Sequence, residues 1–216
     1  CDVLVVGAGI SGILAAKNAA KNNYKTLLLD EKNELGGSTI LETNENKKIN
    51  NTFSSEWLKK EISELKNIKN LEIKTRTSVA AYHQYNYLLA RENLTDHLEK
   101  KDKKNKIRQR LLKIRAKKVI LATGALERPL VFNNNDRPGI MLSSAVKKYS
   151  DFYGVACGVK NIFFINNDTA YESALSLHNK GIKVDAIIDI RENSDAKIIK
   201  KINDAGIKIY WSHTIV

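Results

Sequence analysis

Short apolar runs and a segment of helical periodicity alternate along the first thirty residues. Residues 2–6 and 25–29 are apolar runs of strand length, and residues 11–22 between them carry small and apolar residues at helical spacing. A strand, a glycine turn, a helix and a second strand in so short a length form a βαβ unit. The pattern therefore predicts a parallel sheet with a right-handed crossover.

The middle of the chain predicts one more helix and then a change of strand pattern. Residues 56–66 carry an apolar stripe at helical spacing, and residues 71–74 form a third strand. Residues 78–90 and 106–115 alternate loosely between apolar and polar, which predicts a small antiparallel insertion. Residues 119–122 return to an apolar run, and we expect a fully buried strand that lies beside the first strand.

A second series of strands and helices fills the rest of the chain. Its predicted elements are strands 162–165, 184–188 and 207–210 and helices 169–180 and 195–204. The predicted fold class is α/β: a Rossmann-like FAD/NAD(P)-binding domain with a parallel sheet and a small antiparallel insertion, followed by a second, incomplete α/β domain. Because both prolines fall between the two series, we place the first domain at residues 1–129, with the insertion at about 76–115, and the second, truncated Rossmann-like domain at 130–216.

Composition narrows the class of protein. The chain has 216 residues, of which 43% are hydrophobic and 28% charged, so a disordered or fibrous chain is excluded. Two cysteines are too few for a disulfide framework or a zinc cluster, and they indicate a reducing, cytoplasmic setting. No apolar stretch reaches the ~18 residues of a membrane span. Without an initiator Met, and with strand patterns at both ends, the chain is expected to be a piece of a longer polypeptide.

Positive charge is concentrated in one segment. The formal net charge is +12, and residues 100–118 hold eleven Lys or Arg and one acidic residue. This basic segment contains no aromatic residue on which a base could stack, and its second half alternates as an exposed strand does. We expect a solvated hairpin, with docking to an acidic partner subunit as the next interpretation and RNA binding as the last. Nucleic acid is therefore not an expected partner.

A glycine fingerprint follows the first predicted strand and opens the first predicted helix. Gly7, Gly9 and Gly12 have the spacing G-x-G-x-x-G. The first glycine permits the tight turn, the second lets the backbone approach a pyrophosphate, and the third lets helix and strand pack closely. The helix N-terminus offers free N–H groups to the phosphates. The predicted cofactor-binding residues here are Gly7, Ala8, Gly9, Ile10, Ser11 and Gly12.

Acidic and small residues follow the second predicted strand. Asp30 ends this strand, where a carboxylate accepts both hydroxyls of an adenosine ribose, and Glu31 is the neighbouring candidate. Their negative charge repels a 2′-phosphate, which favours NAD or FAD over NADP. Gly37 and Ser38 let the following loop run under a diphosphate or ribose, although a plain turn explains them equally well.

The ends of two later strands differ in character. Thr123 and Gly124 are small residues that leave space for adenine and its ribose beside the first strand. The second series carries Asn167, Asp168 and Thr169 where glycines are expected, so we predict that they cap the next helix and that the chain has one nucleotide site. The four histidines have no metal-ligand or triad spacing, and no catalytic residue or metal ligand is predicted.

Four longer stretches carry a family resemblance. They are CDVLVVGAGISG, LLLDEKNELGGS, RAKKVILATGALERPLVFNNNDRPGIML and NIFFINNDTAY. They resemble the two-dinucleotide-binding flavoproteins and, within these, the α subunits of heterotetrameric sarcosine oxidases. The resemblance covers most of the chain up to about residue 189, apart from the basic segment.

The resemblance implies an enzyme that oxidises sarcosine to glycine with O₂, giving H₂O₂ and formaldehyde, or methylenetetrahydrofolate when folate is present. It implies FAD in the β subunit, FMN at the α/β interface, γ and δ subunits as further partners, and a folate-binding domain of the α subunit outside this chain. The α subunit carries an NAD without a redox role, so this piece is expected to bind a nucleotide and to turn nothing over. By position, the implied NAD contacts are Gly7, Gly9, Gly12, Asp30, Glu31, Gly37, Ser38, Thr123 and Gly124.

Two other functions remain open from the sequence. The chain could belong to the α subunit of a related amino-acid dehydrogenase or opine oxidase, with FAD in the glycine fingerprint. It could also be a non-catalytic interaction module with a structural nucleotide, in which the basic segment docks a partner.

Overall fold

The computed structural model describes residues 1–41, 47–104 and 106–216. The chain separates into two compact units, Cys1–Ala125 and Leu126–Val216. Across the described ranges, no helix has the length and apolar character needed to cross a membrane.

The first unit contains the βαβ pattern and the antiparallel insertion that the sequence predicts. In chain order its elements are β1 (Val3–Val6), α1 (Ile10–Lys21), β2 (Thr26–Leu29), a 3₁₀ helix (Gly37–Leu41), β3 (Lys48–Ile49), β4 (Thr52–Phe53), α2 (Ser54–Lys66), β5 (Leu71–Lys74), β6 (Thr77–His83), a second 3₁₀ helix (Gln84–Asn86), β7 (Tyr87–Asn93), α3 (Lys100–Lys103), β8 (Gln109–Arg115) and β9 (Lys118–Leu121). The predicted elements are confirmed, with small shifts at their ends.

A parallel sheet forms the centre of the first unit. Its strand order is β5-β2-β1-β9, and every neighbouring pair is parallel. Val6 lies opposite Leu29 on one side and Leu121 on the other, so the carboxyl ends of three strands meet at one edge. Leu4 and Leu28 are fully buried, as expected for strands of a parallel sheet that is covered on both faces.

Different layers cover the two faces of this sheet. On one face, Ile13 of α1 and Trp57 and Leu65 of α2 join a single apolar cluster with strand residues. On the other face lies an antiparallel sheet of order β6-β7-β8. Its Leu88 and Ile114 form one apolar cluster with residues of β1 and β2. The predicted insertion therefore forms the second layer of the unit.

The prediction of full burial for the last strand of this unit is wrong. Ile120 is 38% exposed and Leu121 is 60% exposed. Among the described residues β9 pairs with β1 on one side only, at the end of the sheet, so fewer side chains cover it. An apolar run predicts a strand but does not tell a central strand from an edge strand.

The second unit is a smaller α/β arrangement. Its elements are α4 (Ser143–Tyr153), β10 (Lys160–Ile165), α5 (Thr169–Asn179), β11 (Lys183–Asp189), α6 (Ile198–Asp204) and β12 (Lys208–Trp211). Over this fully described stretch the three predicted strands are confirmed, and they form a parallel sheet of order β10-β11-β12. Helix α4 was not predicted. It joins α5 through the carboxylate of Asp151, which accepts hydrogen bonds from Lys147, Ser176 and Lys180.

Candidate nucleotide-binding site

The junction of β1 and α1 contains two glycines that no larger residue can replace, Gly7 in the turn and Gly12 in the first turn of the helix. Gly7 has φ +98°, and a Cβ at this position would overlap the carbonyl oxygen of Ala122. A Cβ on Gly12 would overlap the carbonyl oxygen of Gly7. The helix therefore starts directly against the turn, and the turn lies directly against the end of β9.

Gly9 lies in the same turn but faces open space. A Cβ built there meets no heavy atom within 4 Å. No side chain of the N-cap residue closes the start of α1, and the first turn of the helix holds no acidic residue. Because the first helical hydrogen bond is donated by Ile13 to the carbonyl of Gly9, the N–H groups of Ile10, Ser11 and Gly12 have no partner within the helix. Open backbone, free donors and the positive end of a helix dipole fit a pyrophosphate.

Asp30 connects the end of β2 to this turn. Its Oδ2 accepts a hydrogen bond from the backbone N–H of Ala8 at 2.6 Å, and its Oδ1 accepts one from the N–H of Lys32 at 2.8 Å. The residue is only 9% exposed. Since a carboxylate has about four acceptor positions, Asp30 keeps free positions for ribose hydroxyls. Glu31 lies next to it and is exposed.

The loop that contains Gly36 and Gly37 packs on the glycine turn. The N–H of Gly36 donates to the carbonyl oxygen of Ala8 at 2.7 Å. A Cβ on Gly37 would lie 2.9 Å from the Cα of Gly9, which leaves no room for a side chain. Gly37 and the neighbouring exposed Ser38 are therefore held beside the turn, an arrangement that a plain surface turn does not require.

Thr123 and Gly124 follow β9 at the same edge of the sheet. The N–H of Ala122 donates to the carbonyl of Val6 at 2.8 Å, which continues the pairing of β1 and β9 up to the turn. Thr123 and Gly124 are exposed, and nothing lies within 4 Å of the place where a Cβ of Gly124 would stand. The residues that the sequence assigns to the cofactor thus come together at one edge, although their role in binding stays a prediction.

The loop after β10 in the second unit has different chemistry. The Oδ1 of Asn167 accepts hydrogen bonds from the backbone N–H and the hydroxyl of Thr169 at 3.0 and 2.5 Å. Asn167 therefore caps the first N–H of α5, whereas the predicted cap by Asp168 is wrong, because its side chain makes no capping hydrogen bond. Asp168 instead accepts a hydrogen bond from Ser194 at 2.8 Å and pairs with Arg191 at 2.8 Å. These two partners hold the pKa of Asp168 below its usual value.

The basic segment forms α3, β8 and the first residue of β9, with position 105 outside the described residues. The expected hairpin is wrong, because β8 pairs with β7 and β9 pairs with β1. Arg108 contacts Asp96 at 2.6 Å, and Lys117 contacts Asp2 at 2.9 Å. The hydrogen bond from Arg108 lowers the pKa of Asp96. Part of the positive charge of this segment is therefore balanced within the first unit.

Across the described ranges no group of three or more His, Cys, Asp or Glu is placed to hold a metal ion. Cys1 and Cys157 are free cysteines.

Comparison with known proteins gives matches along the whole chain. The family model described as pyridine nucleotide-disulphide oxidoreductase matches residues 1–216. The chain is 38% identical over 215 residues to sarcosine oxidase subunit alpha of Corynebacterium sp. (strain P-1), covering 100% of this chain and 22% of that protein. It is 37% identical over 191 residues to sarcosine oxidase subunit alpha of Rhizobium meliloti (strain 1021), covering 88% of this chain and 19% of that protein. The chain therefore spans about a fifth of the length of these relatives.

Solved structures match the same fold. L-proline dehydrogenase from P. horikoshii superposes with a TM-score of 0.69 at 25% identity, covering 91% of this chain and 37% of that chain. Thioredoxin reductase from Lactococcus lactis superposes with a TM-score of 0.68 at 23% identity, covering 98% of this chain and 64% of that chain. The fold is that of an oxidoreductase domain of the FAD- or NAD(P)-binding class.

Proposed function

Because this chain belongs to the pyridine nucleotide-disulphide oxidoreductase family, we propose that it is the NAD-binding portion of the α subunit of a sarcosine oxidase. The observation that carries the proposal is its similarity to sarcosine oxidase α subunits along its whole length. The geometry of the glycine turn supports the same assignment, since the open space at Gly9 lies at a helix end with free N–H donors.

The proposed NAD lies along the carboxyl edge of the parallel sheet. The N–H groups of Ile10, Ser11 and Gly12 donate to its pyrophosphate. Asp30 and Glu31 accept the hydroxyls of the adenosine ribose, and their charge disfavours a 2′-phosphate. The remaining contacts are made by the two loops that close this edge, with Gly37 and Ser38 in one and Thr123 and Gly124 in the other.

In this proposal the chain binds and orients the dinucleotide but supplies no catalytic residue. The whole enzyme converts sarcosine, water and O₂ to glycine, formaldehyde and H₂O₂, or delivers the one-carbon unit to tetrahydrofolate. FAD and FMN, the β, γ and δ subunits and a folate-binding domain belong to the rest of a cytoplasmic complex. The similarity to the sarcosine oxidase relatives supports this assignment.

A second candidate function follows from one of the solved structures. L-proline dehydrogenase from P. horikoshii shares the fold at 25% sequence identity. The chain could therefore belong to the α subunit of a related amino-acid dehydrogenase. In that case FAD would lie in the glycine turn, and this chain would take part in electron transfer. The two candidates differ in the dinucleotide that they place at the same backbone donors.

Identification of the bound dinucleotide separates the two candidates. The purified chain is examined by absorption spectroscopy, denatured, and its released ligand identified by mass spectrometry; a chain purified without ligand is first incubated with NAD and FAD together. Release of NAD from a colourless protein supports the sarcosine oxidase proposal. Release of FAD from a yellow protein contradicts it and favours the dehydrogenase.

A further inference from the structure

The second unit repeats the strand, helix and strand arrangement that forms the site in the first unit. β10 and β11 are parallel, and α5 connects them. Asp189 ends β11 opposite Ile165, the last residue of β10. Asp189 therefore lies at the carboxyl edge of its sheet, as Asp30 does at the end of β2 in the first unit.

The carboxylate of Asp189 has no acceptor position left for a ligand. Its Oδ1 accepts hydrogen bonds from the backbone N–H of Arg191 at 2.9 Å and from Nε of Arg191 at 3.0 Å. Its Oδ2 accepts the hydroxyl of Tyr171 at 2.8 Å and Nη2 of Arg191 at 2.7 Å. These four donors use the roughly four acceptor positions of a carboxylate, and Asp189 is fully buried. Within the described part of the chain, Asp30 accepts two such bonds.

The guanidinium of Arg191 links this carboxylate to the loop at the start of α5. Its Nη1 lies 2.8 Å from Oδ1 of Asp168, which also accepts the hydroxyl of Ser194 at 2.8 Å. Asp168 thus brings a negative charge to the helix end where a pyrophosphate would lie, and the side chain of Asn167 already uses the N–H of Thr169. In the first unit the corresponding helix end has neither an acidic residue nor a side-chain cap.

The pKa shifts in this cluster favour the charged form of Asp189 and the hydrogen-bonded form of Tyr171. Burial opposes the charge of Asp189, but hydrogen bonds from Arg191 and Tyr171 outweigh it and lower the pKa of the carboxyl. The pKa of Tyr171 is raised, first by its burial and then by its hydrogen bond to Asp189, so Tyr171 remains a donor at neutral pH. Asp189, Arg191 and Asp168 therefore stay charged, and they form their hydrogen bonds within the cluster.

We infer that the second unit closes its own dinucleotide site with this Asp168–Arg191–Asp189 bridge and binds neither NADH nor NADPH. The name of the matching family refers to a pyridine nucleotide. The residues at the carboxyl edge of the second unit do not fit such a ligand. A nicotinamide ring then has no place in this unit from which to deliver a hydride. The inference goes beyond the proposed function, because it holds whichever dinucleotide the first unit binds.

Binding to a chain with a disabled first site tests the inference. NADH and NADPH are titrated by calorimetry into the unmodified chain and into Gly9→Val, whose added side chain fills the open space of the first site. We expect no binding to Gly9→Val up to millimolar nucleotide. One equivalent bound to Gly9→Val and lost in Gly9→Val with Asp189→Ala would overturn the inference. A lack of binding to the unmodified chain would contradict the proposed function but leave this inference in place.

The bridge itself is tested by thermal unfolding. Arg191→Met leaves two carboxylates without their partner, and we expect the unfolding temperature to fall by about 10 °C. Asp189→Asn in the Arg191→Met background removes one of these charges and should recover part of the loss. The matched control is Lys183→Met at the start of β11, since Lys183 pairs with Asp185 at the surface. A loss for Arg191→Met no larger than that of the control would mean that the bridge does not hold the site closed.

Discussion

The carboxylate of Asp30 and the backbone N–H of Ala8 form a buried hydrogen bond of 2.6 Å. This bond joins the end of β2 to the glycine turn that follows β1, so the acidic residue that we propose for the ribose also holds the backbone that we propose for the pyrophosphate. The same carboxylate still has acceptor positions to offer. In the proposed site, Asp30 therefore has two roles in nucleotide affinity: contact with the ribose and holding the turn.

Asp30→Ala tests this double role. The substitution removes the partner of a buried N–H, and we expect a loss of stability of about 1–3 kcal/mol. Dinucleotide affinity should fall by a further 1–3 kcal/mol, roughly 5- to 150-fold, because charged hydrogen bonds to the ribose are lost. Urea unfolding and calorimetric titration measure the two effects. Glu31→Ala is the control for charge at an exposed neighbour, and it should leave stability unchanged. An equal loss of stability in both variants would contradict the role of Asp30 in holding the turn.

Valine at Gly9 in the turn and valine at Gly12 in the first turn of α1 should differ in their effect on folding. Gly9→Val adds a side chain in open space, so the chain should fold as before and lose nucleotide binding. Gly12→Val forces a side chain into the carbonyl of Gly7, so the fold itself should be lost or strongly destabilised. Circular dichroism and a nucleotide titration distinguish the two outcomes. If Gly9→Val unfolds and Gly12→Val does not, the geometry of the turn is not as described.

Much of this site follows from sequence because its signals are local. The spacing of Gly7, Gly9 and Gly12 after an apolar strand predicts the turn, and the helical pattern predicts α1. The bond between Asp30 and Ala8 was not predicted, because it joins residues 22 positions apart and depends on how two strands align. The contact of Gly37 with Gly9 was left open for the same reason, since a Gly pair alone also suits a plain turn.

Two parts of the fold were missed or misjudged for other reasons. The exposure of Leu121 follows from the position of β9 at the end of the sheet, and strand order is not encoded in an apolar run. Helix α4 was missed although Val146, Tyr149 and Tyr153 repeat at helical spacing and Gly154 follows them. Its start is fixed by Glu127, which lies 16 residues before Ser143 and gives no local capping signal.

Glu127 is predicted to stabilise the start of α4. Its carboxylate accepts hydrogen bonds from the N–H and hydroxyl of Ser143 at 3.1 and 2.7 Å and from the N–H of Ser144 at 2.8 Å. Glu127→Ala leaves these donors to water, and we expect a loss of about 1–2 kcal/mol in urea unfolding. Asp136→Ala, at an exposed position of the same connection, is the control and should be neutral. A neutral result for Glu127→Ala would exclude this cap.

The stability of the second unit should depend on pH through Asp151. Burial opposes its charge, but hydrogen bonds from Lys147, Lys180 and Ser176 outweigh burial and lower its pKa. Because the pKa is lower in the folded chain, the stabilisation is complete above the ordinary carboxyl value of about 3.9 and is lost as the pH falls through the folded-state pKa.

Asp151→Asn should therefore cost about 3 kcal/mol at neutral pH, because it removes the buried negative charge that faces Lys147 and Lys180. The difference from the unmodified chain should shrink below about pH 4, as the carboxyl of the unmodified chain becomes protonated. Urea midpoints at neutral and acidic pH measure this difference. A constant difference across the range would mean that the charge of Asp151 does not stabilise the fold.

Titration of NAD into the purified, ligand-free chain tests the central claim most directly, with FAD and Gly9→Val as comparisons. The account predicts one NAD per chain, weaker binding of FAD, and no NAD binding to a folded Gly9→Val. Absence of NAD binding to the unmodified chain, or NAD binding that survives in Gly9→Val, would contradict the claim that the glycine turn after β1 is the dinucleotide site.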